Sequence, residues 1–267
     1  MRPRDLERSC RIALSAILLC VLAAGCRSHR ADEDAKSGPE VIYQKAQKAL
    51  RGQDYAAAVK QLESLQSRFP FSDSARQASI DLIYAYYKDR QTDPAVDAAD
   101  TFIRENPTNP RVDYAYYMKG LVYFERQANF MERWFHADLS ARPPLNARKS
   151  FEAFNTLLQK YPHSEYVADS RQRMIFLRNR LADFEMHVAS YYMRRGAWVG
   201  AINRARYCIE NYDGAPAVQT SLKILIAAYR NLKMQDLAGN AERVYAQNYP
   251  ADVKSVQVAK RHWWKIF

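Results

Sequence analysis

Glycine and proline are scarce, 8 and 11 in 267 residues, and no segment alternates apolar and polar residues convincingly as a strand. That composition disfavours a turn-rich β architecture. The abundance of Ala, Leu, Arg, Lys and Gln favours helix instead. Catalytic constellations are missing too. The five histidines (29, 136, 163, 187 and 262) are far apart, and none falls in an HxxxH or HExxH pair. No GxSxG, GxxxxGK[ST] or GxGxxG occurs, so no catalytic residue, metal or cofactor is expected. One decoy is present, Glu63-Ser64, because solenoid-shaped lytic transglycosylases place a catalytic Glu before Ser. Here the pair lies inside a repeat, and the chain has no room for a separate lysozyme-like domain. The net charge is +11, yet no run of five Lys or Arg occurs; cations such as Arg171, Arg173, Arg178 and Arg180 are scattered singly, as on solvated helix faces.

No apolar run reaches the roughly 20 residues that a spanning helix needs. The longest informative one is Ile12 to Ala24, preceded by Arg2, Arg4, Arg8 and Arg11, which has the dimensions of a secretory signal. It closes on Leu22-Ala23-Ala24-Gly25-Cys26, which resembles a lipobox, although the usual Leu three places before the Cys is Ala23 here. Residues 1–25 are expected to be removed, and Cys26 to carry a diacylglycerol thioether and an N-acyl chain. Three acyl chains exceed the two signals that stable anchoring requires. Arg27 stands where an Asp would retain a Gram-negative lipoprotein in the inner membrane, so the expected address is the periplasmic face of the outer membrane. Export also makes nucleic acid an unsuitable partner. With Cys10 and Cys20 removed and Cys26 lipidated, only Cys208 remains, and no internal disulfide is available. Cys208 lies on an apolar helical stripe and reads as a buried, inert thiol. Residues 26–38 are polar and read as a tether.

What the mature chain does have is a repeat. A stop phrase recurs as Phe69-Pro70, Asn106-Pro107, Tyr161-Pro162, Tyr212-Asp213 and Tyr249-Pro250, at intervals of 37, 55, 51 and 37 residues. Twelve places before each phrase end lie Ala58, Ala95, Ser150, Ala201 and Ala238, all small. Five places before it lie Leu65, Phe102, Leu157, Cys208 and Tyr245, all able to fill a core. This resembles the second helix of a tetratricopeptide (TPR) repeat. Gly120 with Tyr123, Ala189 with Tyr192, and Gly52 with Tyr55 fit the first helix and its turn. The predicted fold is an all-α TPR solenoid of five helix hairpins over 39–250. Its N-terminal repeats span 39–110, a middle repeat spans 111–162, and C-terminal repeats span 163–250, followed by a tail at 251–267.

The helices are expected at about 40–51, 54–69, 73–89, 93–106, 111–127, 145–161, 164–195, 197–212, 215–231 and 235–249, with Asp73, Thr92 and Ser164 as N-caps. The seventh, about 32 residues long, is expected to bridge the halves. Residues 128–144 interrupt the third unit with Phe130, Met131, Trp134 and Phe135, which either pack on the solenoid or meet a partner. Stacked hairpins create a concave binding groove. Tyr84, Tyr87 and Tyr114, from two tyrosine clusters on first helices, are the candidates to line it for an extended peptide, with helix packing as their alternative role.

The segments ASIDLIYAYYK (78–88), FIRENPTNPRVDYAYYMKGL (102–121), RMIFLRNRLADFE (173–185) and RRGAWVGAINRAR (194–206) closely resemble the BamD family, TPR lipoproteins of the β-barrel assembly machinery. The tail, ending Trp263-Trp264-Lys265-Ile266-Phe267, has no match there. The resemblance implies partnership with the barrel subunit BamA through its periplasmic POTRA domain, with BamC and other lipoproteins of that machinery, and with the C-terminal β-signal of unfolded outer-membrane proteins. It also implies that the C-terminal repeats hold the POTRA domain, with Arg204 pairing to an acidic residue there. A surface pair within its own helix is the alternative role for Arg204. Other TPR lipoproteins, such as a pilus pilotin or a cell-division coordinator, share the lipobox and groove but are expected to lack these segments.

Overall fold

The computed structural model describes residues 37–125 and 143–252. The signal, Cys26, the aromatic part of the insertion and the tail from 253 lie outside the described residues. Ten α-helices are present and no strand occurs among the described residues, so the all-α, TPR-like solenoid class holds. The chain divides into two compact units, with the boundary between Gln91 and Thr92. The first contains α1 (Pro39–Arg51), α2 (Tyr55–Arg68) and α3 (Asp73–Lys88). The second contains α4 (Thr92–Glu105), α5 (Val112–Glu125), α6 (Leu145–Lys160), α7 (Val167–Arg194), α8 (Trp198–Asn211), α9 (Ala217–Asn231) and α10 (Gln235–Asn248), closed by a 3-10 turn at Pro250–Asp252.

Within each unit consecutive helices pack on each other, and α1 also meets α3, as α7 meets α9. The five small residues explain how the helices come close. Ala58, Ala95, Ser150, Ala201 and Ala238 are all buried, as are Leu65, Phe102, Leu157, Cys208 and Tyr245. Those last five also end the second helices: their carbonyls accept the N–H of Phe69, Asn106, Tyr161, Tyr212 and Tyr249, all at 2.8–2.9 Å. The carbonyls of those five stop residues then accept the N–H three places on, from Ser72, Asn109, Ser164, Ala215 and Asp252. One backbone device therefore terminates all five units, whether the next residue is Pro or, as at Tyr212, Asp. Ser150, the polar member of the small set, is satisfied by donating to the Gly120 carbonyl at 2.8 Å.

The turns that end the first helices repeat as well. Gln53, Arg90, Gly196 and Lys233 have φ between 58° and 70°. In each case the following N–H reaches back to the helix, from Asp54 to Ala49, Gln91 to Tyr86, Ala197 to Tyr192 and Met234 to Tyr229. This is the left-handed helix stop of a Schellman motif. Each left-handed residue lies 17 places before its stop phrase ends, and the third unit has Leu145 at that place, directly after the insertion.

Two expectations need correction. The N-cap of α3 is Ser72, whose Oγ accepts from Ala75 N at 3.1 Å, and Asp73 and Thr92 are first helical residues rather than caps. The long helix starts at Val167, not 164, because Ser164 belongs to the stop of the preceding helix and its Oγ accepts from Tyr166 N. It therefore has 28 residues, roughly 42 Å at 1.5 Å per residue. It packs on α6, α8 and α9, joining the third hairpin to the last two. The last unit is tied at its end by Asp252, whose Oδ2 accepts from Tyr245 Oη (2.7 Å), Gln219 Nε2 (2.8 Å) and Lys223 Nζ (2.9 Å).

Candidate functional site

In the first unit the core forms around Ile42, Val59, Leu62, Leu65 and Leu82. α3 carries three tyrosines around its circumference, and they part company as helix geometry requires. Tyr86 packs on the core and donates to Glu63 Oε1 at 2.6 Å. Tyr84 is exposed, and Tyr87 is half-buried. The Tyr84 ring meets Tyr55 edge-on at 6.3 Å, with Lys88 Nζ 5.5 Å from the Tyr55 ring. This unit thus offers Tyr84, Tyr55 and Lys88 as an amphipathic patch. Tyr55 marked a turn in the sequence, but its place beside Tyr84 follows only from the packing of α2 on α3. Glu63, the acid of the Glu63-Ser64 pair, accepts from Tyr86. Burial, and then the Glu63 hydrogen bond and charge, push the Tyr86 hydroxyl well above the usual tyrosine range.

In the second unit Tyr114 is half-buried, 5.7 Å from the Tyr166 ring, with Arg111 5.4 Å from its own ring. Tyr166 stacks at 4.6 Å on Tyr117, whose hydroxyl donates to Asp169 Oδ2 at 2.9 Å. Asp169 also accepts from Arg173 Nε at 2.6 Å, and Arg173 lies 4.9 Å from the Phe124 ring. Burial, the Glu165 hydrogen bond and neighbouring carboxylates push the Tyr166 hydroxyl up to about 12. Tyr114 thus stands, half-buried, at the end of an aromatic ladder that Tyr166 joins to Tyr117. Tyr166 was not legible as a partner, because it comes from the turn before α7, 52 residues away.

Arg204 sits on α8 and pairs with Glu185 of α7, Nη1 to Oε2 at 3.1 Å. The guanidinium side chain is 43% exposed and the carboxylate 2%. This is neither a pair within one helix nor a guanidinium lacking an internal contact. Its neighbours one turn away are Gly200 and Cys208, so α8 supplies no acid of its own there. Cys208 is fully buried, and burial pushes its thiol up. Among the described residues no group of three or more His, Cys, Asp and Glu is gathered as a metal would need, and no helix is long and apolar enough to cross a membrane.

Stacked helix hairpins with one recurring stop define an all-α, TPR-like repeat protein. More specifically, residues 35–244 match the YfiO family, described as outer membrane lipoprotein. The chain belongs to that family. It is 39% identical over 264 residues to the outer membrane protein assembly factor BamD of Neisseria gonorrhoeae, covering 96% of this chain and 99% of that protein. The protein of the same name in Vibrio cholerae is 36% identical over 235 residues, 88% of this chain and 97% of that protein. The one in Xylella fastidiosa is 35% identical over 242 residues, 90% and 83%. The family expectation drawn from the four quoted segments therefore holds.

Proposed function

We propose that the chain is an outer membrane protein assembly factor, anchored by acyl chains on Cys26 at the periplasmic face of the outer membrane. In this reading it is a scaffold of the β-barrel assembly machinery and catalyses nothing. It binds the POTRA domain of BamA, together with BamC and other lipoproteins of that machinery, and it receives the C-terminal signal of unfolded outer-membrane proteins. The observation that carries this reading is the near full-length match to relatives named as assembly factors. Tyr84 and Tyr87 in the first unit and Tyr114 in the second are the proposed peptide contacts, since each offers an apolar ring with a polar tip. Arg204 is the proposed POTRA contact, its outer edge being open to an acidic partner.

Co-purification from detergent-solubilised envelopes tests the assignment: a POTRA-bearing barrel protein is expected to accompany the chain, and its absence would reject it. Arg204 needs a matched variant. Arg204→Glu alone would set a second carboxylate against the buried Glu185, and its failure to bind would report misfolding. Replacing both members, Glu185→Met with Arg204→Met, leaves no buried charge unpaired. That double variant is expected to stay folded and to lose the barrel subunit.

A further inference from the structure

We propose that Glu185 is the positioning residue that aims Arg204 at its partner. The proposal rests on the reading of Arg204 as a contact to an acidic surface and adds the part of the device that lies inside the fold. Glu185 is in the middle of α7, 2% exposed, and its ion pair is to Arg204. A carboxylate so deeply buried requires a charged partner. Stability alone does not explain the pair, because well-packed apolar residues of similar volume generally serve a buried site as well or better. What the pair supplies and apolar residues cannot is direction.

The geometry supports that division of labour. One Nη of the guanidinium is held inward, while the side chain remains 43% exposed. A guanidinium has five N–H donors in a planar fork. An external carboxylate can therefore take the outer edge while Glu185 keeps the inner one, and neither displaces the other. Arg206 does not substitute for Arg204, either as the counter-charge to Glu185 or as a contact, since it is paired along the surface with Glu210 at 3.2 Å. Arginine carries large rotamer entropy, and a side chain already fixed before docking loses less on binding. Without Glu185 the guanidinium would have to be ordered at the moment of encounter.

The test uses the full-length chain in detergent, titrated with the purified POTRA domain of its barrel subunit. Glu185→Met is expected to weaken binding about three- to tenfold, the cost of immobilising one long side chain. Glu185→Gln, which keeps an acceptor at the same place, is expected to recover part of that loss. In an Arg204→Met background, Gln and Met at position 185 should bind alike, because there is no guanidinium left to aim. Equal affinity of Glu185→Met and the unaltered chain would overturn the positioning role. So would a Gln–Met difference that persists without Arg204. If the doubly substituted Glu185→Met, Arg204→Met chain binds as tightly as the unaltered one, the assignment of Arg204 itself falls, and the positioning role with it.

Discussion

Phe154 lies so tightly over Gly120 that a Cβ on the glycine would come within 3.0 Å of three of its ring carbons. Phe154 is fully buried on α6 and cannot swing away into solvent. Gly120→Ala gains about 1 kcal/mol of helix propensity but forces overpacking that costs about 1–3 kcal/mol. A net loss and a melting temperature lower by several degrees are expected. A thermal melt of the purified variant checks it, and an unchanged midpoint would show that α5 and α6 are free to separate.

Lys233 occupies the left-handed turn that Gly196 occupies one unit earlier. A side chain there costs about 1–2 kcal/mol, while glycine costs about 0.5–1 kcal/mol in unfolded-state freedom. Lys233→Gly is therefore expected to stabilise by up to about 1 kcal/mol, and Gly196→Ala to destabilise. Denaturant unfolding of the two variants should move their midpoints in opposite directions.

These turns mark where the sequence stopped being readable. Helix boundaries came out within two residues in nine of ten cases, because small residues and stop phrases recur at fixed offsets. The long helix was misplaced at its start, since Ser164 looks like an N-cap when only the local pattern is seen. Gln53, Arg90 and Lys233 carry no glycine to announce a left-handed turn, although the constant offset to the stop phrase would have located them. Side-chain partnerships were the least readable. Glu185 and Arg204 are 19 residues apart on different helices, and no periodicity within either helix relates them. The three tyrosines of α3 were legible as facing different ways, but not which of them meets Glu63.

Asp169 links the second aromatic patch to acid stability. Burial pushes its carboxyl up, but hydrogen bonds from Arg173 and Tyr117 together with the Arg173 charge outweigh that and hold it below the ordinary value of 3.8. Its folded-state pKa is thus depressed, so its contribution is complete above the unfolded value and is lost as pH falls through the folded one. Asp169→Asn should lower stability at neutral pH and shrink the difference from the unaltered chain below about pH 4. Urea midpoints measured from pH 3 to 7 test this. A constant difference across that range would mean the carboxylate is not ionised in the pair.

Cys208 should be silent to thiol reagents in the folded chain. It is fully buried, and burial pushes the thiol up, away from the reactive thiolate. In a chain carrying it as the only thiol, labelling is expected to appear in step with global unfolding as denaturant rises. Rapid labelling in buffer would instead reveal easy opening between α8 and α9.

The match to the family ends at residue 244, yet Asp252 is where Tyr245, Gln219 and Lys223 converge. Anyone trimming the protein for crystallisation by the family boundary would remove Tyr245 together with Asp252 and leave the Gln219 amide and the Lys223 ammonium without their shared acceptor. A shortened version should therefore stop no earlier than Asp252, or its last two helices will fray.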